Sequence, residues 1–151
     1  MIDHKVPIYK IYSIAGSAFA EGWALYTESL GNYHLKTREN LLFYFGRLTY
    51  ELFRAIRLVV DTGLHYYGWS FNKAISYMHN RLAMTKSEIT TEVERYLCTP
   101  GQALCYKIGE LTFQKLRRSY GNHHNLKEFH KLILEDGVLP LTVLEQKILR
   151  K

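Results

Sequence analysis

Apolar residues recur every three or four positions through most of this 151-residue chain, a spacing typical of helices that bury one side. The clearest pattern lies in the longest predicted helix, which Thr37 caps and which runs to about Val60 or beyond. We predict that its apolar stripe faces the core. The stripe consists of Leu41, Phe45, Leu48, Leu52, Ile56 and Val59.

Further helices follow from capping residues and breaks along the chain. One is predicted over 13–30, ended by Gly31-Asn32, and another follows Ser70. The chain restarts at 85–87 and breaks at 99–101, where Pro100 can begin the next helix. Two more helices follow Asn125 and residues 140–141, and Ala74, Ile75, Met78 and Leu82 should point inward. We predict an all-α, irregular bundle of six or seven helices: an irregular lead-in over 1–14, then one helical domain over 15–151.

A second line on the longest helix is polar. It consists of Arg47, Tyr50, Arg54, Arg57, Asp61 and His65. Such a line is usually a solvated face. Here Leu58, Val60, Leu64 and Trp69 leave little room for a wet surface near the helix end. We therefore predict that this end is buried and carries polar groups inward.

Composition excludes several classes of protein. The net charge of +6 is spread along the chain without an RNA- or DNA-binding motif, so we predict no nucleic-acid partner. No apolar run reaches the ~18–20 residues of a membrane span. Two cysteines make no disulfide framework. A signal peptide is rejected because Lys10 interrupts its apolar region; the compartment stays undetermined, with the cytoplasm as default.

An apolar run over 18–26 contains one carboxylate, Glu21, which is costly to bury unless it is paired or ligated. The segment F-A-E-G-W-A-L-Y at 19–26 resembles the F-x-E-G-W-A-L-Y signature of the domain-of-unknown-function 885 (DUF885) family, whose members are related to gluzincin-type zinc metallopeptidases. The resemblance implies that Glu21 is the third zinc ligand.

Three more blocks resemble the family. Residues 52–69 are similar to R-A-x-R-L-V-V-D-T-G-L-H-x-x-G-W, 92–109 to E-V-x-R-Y-x-x-x-P-G-Q-A-x-x-Y-x-I-G, and 129–141 to F-H-x-x-x-L-x-x-G-x-L-P-L. Asp61 lies four residues before His65, so the carboxylate could orient an imidazole that donates to an oxyanion. A purely structural Asp–His pair is the alternative.

The block at 92–109 supplies groups of the kinds that bind a peptide's carbonyls and carboxylate. We predict Arg57, Arg95, Tyr96 and Gln102 as substrate-binding residues. In related gluzincins a Tyr steadies the tetrahedral intermediate, and either Tyr106 or Tyr96 could fill that role here. His123, His124 and His130 show no zinc-ligand spacing.

The family's two His ligands and general-base Glu, in a His-Glu-x-x-Pro-Gly-His segment, are expected before Met1. We therefore expect the carboxy-terminal half of a zinc-dependent peptidase-like protein that acts on peptides and is inactive alone. It would be a fragment, a truncated product or a degenerate relative. The expected partners are a peptide substrate and either the upstream segment or a second copy. A non-catalytic helical interaction module is the alternative function. A basic nucleic-acid binder, which a steep salt dependence of binding would reveal, is the third and less favoured one.

Overall fold

The computed structural model describes residues 16–34, 41–120 and 125–149. These residues form seven α-helices and no strand, so the predicted all-α fold is confirmed. In chain order the helices are α1 (Ser17–His34), α2 (Leu41–His65), α3 (Phe71–His79), α4 (Lys86–Cys98), α5 (Gln102–Tyr120), α6 (Leu126–Leu134) and α7 (Leu141–Leu149). No described helix is long and apolar enough to cross a membrane.

The chain divides into two compact units. Unit 1 comprises Met1–Tyr26 with Ile108–Lys151, and unit 2 comprises Thr27–Lys107. Helices α1 and α5 each contribute residues to both units. The predicted lead-in over 1–14 and the predicted helix cap at Thr37 lie outside the described residues. A single domain over 15–151 stays a prediction.

Unit 2 is built on α2, α3 and α4, which pack against one another. Local capping residues set the helix starts: the Ser70 side chain accepts from the Lys73 N–H, and Thr85 forms a capping box with Glu88. The four side chains expected to point inward from α3 and the residues after it are all buried, which confirms that prediction. They are Ala74, Ile75, Met78 and Leu82.

The predicted core stripe of α2 is wrong. Five of its six residues, Leu41, Phe45, Leu48, Leu52 and Val59, are exposed, and only Ile56 is buried. The side of α2 that meets α3 and α4 carries Phe53, Ile56 and Val60 together with Arg57 and Asp61. With 3.6 residues per helical turn, the centre of this buried side is rotated by roughly 100° about the helix axis from the centre of the stripe. The prediction that this end is buried and carries polar groups inward is confirmed only in part, because Arg57 and Asp61 are buried but Val59 and His65 are exposed.

Two predicted helix ends also differ from the structure. Helix α1 does not stop at Gly31 but continues to His34. Helix α5 begins at Gln102 rather than at Pro100. The reason is Gly101, whose φ of 81° lies in the left-handed region and therefore cannot continue a right-handed helix.

Unit 1 depends on a close crossing of α1 and α5. A Cβ added at Gly22 would collide with the Gly109 backbone, and one added at Gly109 would collide with the Ala18 carbonyl oxygen. Around the crossing, the Phe19 and Trp23 rings lie edge-on to Phe113, with centroids 5.2 and 5.6 Å away. Two residues without side chains are therefore what allows these aromatic rings to pack.

Candidate functional site

A fully buried guanidinium is the centre of the candidate site in unit 2. Arg57 donates from one terminal nitrogen, Nη2, to Gln102 Oε1 at 3.0 Å. Its Nε and Nη1 atoms make no hydrogen bond within the described part of the chain. Native proteins leave few buried polar atoms unpaired, so such atoms need an explanation.

Aromatic rings surround this guanidinium. The Arg57 Cζ atom lies 4.5 Å from the Tyr106 ring centroid and 5.3 Å from that of Tyr96. The Arg54 Cζ atom lies 4.3 Å from the same Tyr106 ring. Cation–π attraction offsets part of the cost of removing these charges from water. Burial lowers the pKa of Arg57, although a guanidinium stays protonated in proteins.

Tyr96 adds another unsatisfied group. Its ring is buried and its hydroxyl makes no hydrogen bond of good geometry, although the nearby Glu92 carboxylate interacts with it and contributes to raising the pKa of Tyr96. Burial is the main reason that the pKa of Tyr96 is raised above its usual value. Across the described residues, six buried side-chain nitrogen or oxygen atoms lack a partner, and four of them belong to Arg54, Arg57 and Tyr96. The unsatisfied donors are thus concentrated in this cluster.

Arg95 and Glu92 form the edge of the cluster. They make an ion pair with a nitrogen–oxygen distance of 2.6 Å. Burial alone would raise the pKa of Glu92, but the hydrogen bond and charge of Arg95 hold it below its usual value. The guanidinium groups of Arg54, Arg57 and Arg95 still outnumber the nearby carboxylates, so the cluster favours an anion.

Asp61 fixes the start of α5 instead of orienting His65. Both of its carboxylate oxygens accept from the Gly101 N–H, at 3.1 and 3.2 Å. This contact holds the turn before α5 and thereby positions Gln102 and Tyr106. The expected pairing of Asp61 with His65 is absent from the hydrogen bonds of the described residues, because the carboxylate is taken by a backbone amide forty positions away.

His65 is exposed and is held by another contact. Its Nε2 lies 3.0 Å from the Tyr96 carbonyl oxygen, and because a carbonyl can only accept, Nε2 carries the proton. In the neutral ring the remaining nitrogen, Nδ1, is then an acceptor. His65 could donate a hydrogen bond to an oxyanion from Nδ1 only as the protonated ring, the imidazolium. Its predicted role as an oxyanion donor is therefore restricted to that protonated form.

A family model described as "Bacterial protein of unknown function (DUF885)" matches residues 3–148. The chain belongs to the DUF885 family. The solved structure of a "putative lipoprotein" from Colwellia psychrerythraea is similar, with a TM-score of 0.80 and 45% sequence identity. The match covers 87% of this DUF885 chain and 23% of that longer chain. No curated protein matches the present chain.

Most letters of the DUF885 signature at 19–26 have packing roles. Phe19 and Tyr26 are buried, Gly22 permits the helix crossing, and Trp23 lies edge-on to His130 at 5.2 Å. The Tyr26 hydroxyl is 3.0 Å from His130 Nε2, which gives His130 a structural contact. The run is not buried throughout, because residues four apart on a helix share a side and Ala20 and Ala24 lie on the outer one; Glu21 itself is half-buried.

The described residues do not fit a complete zinc centre. They contain no group of three His, Cys, Asp or Glu side chains that could hold a metal ion. A catalytic zinc needs about three protein ligands. Glu21 as a zinc ligand therefore stays a prediction that rests on the family resemblance.

The structure brings together most of the residues expected to bind substrate. Arg57, Tyr96, Gln102 and Tyr106 share one cluster, with Arg95 at its edge. Glu21 belongs to unit 1 and the cluster to unit 2, so their convergence on one cleft stays a prediction. Arg54 and Glu92 belong to the cluster but are not among the predicted site residues. The three-residue spacings of Arg54 to Arg57 and of Glu92 to Arg95 indicate that each pair shares a helix side, which could have identified them.

Proposed function

We propose that this DUF885 chain contributes a binding centre for a peptide carboxylate to a zinc-dependent, peptidase-like protein that acts on peptides. The observation that carries the proposal is the fully buried Arg57 guanidinium with two unpaired nitrogens. A guanidinium presents its donors in a planar fork that matches the two oxygens of a carboxylate. An incoming carboxylate would therefore satisfy the atoms that the fold leaves unpaired.

Neighbouring groups support the same ligand. Gln102 uses its carbonyl oxygen to hold Arg57, which leaves its amide nitrogen as a donor for a peptide carbonyl. The Tyr96 hydroxyl is a second donor, because a tyrosine is protonated at neutral pH and burial raises its pKa further. Because Arg57 is closed off from solvent, entry of a carboxylate requires a covering side chain to move; Tyr106 is partly exposed and lies over the guanidinium.

Replacing Gln102 with Glu tests this proposal without removing the buried arginine. The Gln102→Glu variant places a carboxylate beside Arg57 Nη2 and occupies the site from within the chain. We expect calorimetry to show that the wild-type chain binds a short peptide with a free carboxyl terminus about tenfold or more tighter than its amidated form, and that Gln102→Glu removes this difference. Gln146→Glu, an exposed change of the same charge on α7, is the control and should preserve the difference. Equal binding of both peptides by the wild type, or an unaffected Gln102→Glu variant, would contradict the proposal.

A second candidate, a non-catalytic helical interaction module, is favoured by the exposed apolar stripe of α2. Under this alternative the Arg57 cluster is structural and binds the free-carboxylate and the amidated peptide equally. The calorimetric result distinguishes the two proposed functions, because only the first requires recognition of a free carboxylate.

A further inference from the structure

The α2 stripe, defined as Leu41, Phe45, Leu48, Leu52 and Val59, has the geometry of a helix–helix seam. These residues are spaced by four, three, four and seven positions and lie within an arc of about 60°. Alternating spacings of three and four are the pattern by which one helix packs along another in a coiled coil. Ala55, a small residue, fills the position that would otherwise interrupt the repeat between Leu52 and Val59.

The side chains of this stripe are exposed to solvent and do not belong to the core of unit 2. The exposed fractions are 76% for Leu41, 68% for Phe45, 41% for Leu48, 48% for Leu52 and 41% for Val59. Taking about 150–200 Å² for each side chain, the stripe presents roughly 400–550 Å² of apolar surface. Two such stripes facing each other would bury on the order of 1,000 Å², which reaches the lower limit for a specific interface.

The charged groups of α2 lie beside the stripe rather than within it. Glu51 is the charged residue of α2 that lies closest to the stripe around the helix, and its carboxylate is bound by Arg47 at 2.7 Å and by Lys107 at 3.1 Å. These contacts outweigh the effect of burial and hold the pKa of Glu51 below its usual value. Thr49, on the other edge, is uncharged and bonds to the Phe45 carbonyl. Two copies could therefore approach without bringing an unpaired carboxylate into the seam.

We propose that the α2 stripe is the interface between two copies of this chain, which pair about a two-fold axis through their α2 helices. An isologous contact of this kind needs a self-complementary surface, and an uncharged leucine-rich seam meets that condition. The proposal is independent of peptide binding, because the stripe and the Arg57 cluster lie on different sides of α2.

Sedimentation velocity of the full chain over a range of micromolar concentrations tests the interface. We expect a concentration-dependent dimer, with a dissociation constant raised about tenfold or more by Leu52→Glu, which would place a charge in the seam. Leu111→Glu on α5 is a matched control, since Leu111 is 47% exposed, and it should leave the dimer unchanged. Phe45→Glu provides a second seam variant, and circular dichroism checks that each variant remains helical.

A wild-type chain that stays monomeric at every concentration would overturn the proposal, including the case in which the stripe is covered by a different partner. A dimer that persists in both Leu52→Glu and Phe45→Glu would overturn it as well. Equal weakening by Leu111→Glu would overturn it too, because the effect would then not be specific to the α2 stripe.

Discussion

Replacing Gly22 with Ala tests the close crossing of α1 and α5 most directly. The new Cβ would meet the Gly109 backbone and would lie 2.8 Å from the Glu110 amide nitrogen, whereas ordinary van der Waals contact begins at 3.4 Å. All three of the nearest atoms belong to backbone, which cannot rotate away as a side chain can. The two helices must therefore separate, and contacts such as that between Phe19 and Phe113 weaken.

Two opposing effects set the size of the change. Ala favours a helix interior over Gly by about 1 kcal/mol. Overpacking a close contact costs about 1–3 kcal/mol, and a backbone obstacle favours the upper end of that range. We expect Gly22→Ala to lower the free energy of unfolding by about 1–2 kcal/mol, which corresponds to a fall in melting temperature of roughly 2–8 °C for a chain of this size.

Gly46→Ala is the matched control. Gly46 also lies inside a helix, but a Cβ there meets nothing within 4 Å. The propensity gain then acts alone, and the variant should be more stable by about 0.5–1 kcal/mol. Urea unfolding followed by far-UV circular dichroism compares the two variants. If Gly22→Ala raises the unfolding midpoint as Gly46→Ala does, the helices do not cross as closely as described.

Three further variants test local features of the fold. Gly63→Ala would place a Cβ 2.6 Å from the Trp69 ring, so we expect a loss of about 1 kcal/mol in urea unfolding despite the better helix propensity; an unchanged midpoint would mean that the ring yields freely. Thr85→Ala removes the capping box with Glu88 and should cost about 1 kcal/mol, whereas Thr85→Ser should cost little. Burial lowers the pKa of His130, so its folded form binds a proton less readily than the unfolded chain; stability is fully present above about pH 6.5 and falls as the pH drops from there toward the folded-state pKa. A His130→Asn variant should lose that part of the pH dependence of the melting temperature, and an identical pH profile would contradict this account.

The starts of α3, α4 and α6 were predictable from the sequence because capping is local. Ser70, Thr85 and Asn125 each bond to a backbone amide two or three residues later. The all-α fold was predictable for the same reason, because the spacing of apolar residues along a helix is also a local property of the sequence. The resemblance of four blocks gave the family, and most of the clustered polar residues of unit 2 lie within two of those blocks.

The partners of polar residues were less predictable. Asp61 and His65 are one helical turn apart, and spacing alone favours a bond between them. The structure instead joins Asp61 to the Gly101 amide and His65 to the Tyr96 carbonyl, through contacts 40 and 31 positions apart. Sequence spacing cannot rank a near partner against one that another helix brings into contact.

Sequence by itself determined that α2 is a long amphipathic helix, but only tertiary structure decided which side faces the core. Its stripe of Leu and Phe matches a buried seam better than the side carrying Arg57 and Asp61 does, yet the latter is buried. Helical periodicity specifies that apolar residues share a side, and it is silent on what packs there. Rings from α4 and α5, with the amides at the start of α5, stabilise the buried arginine and aspartate, and those contacts exist only after the helices have packed.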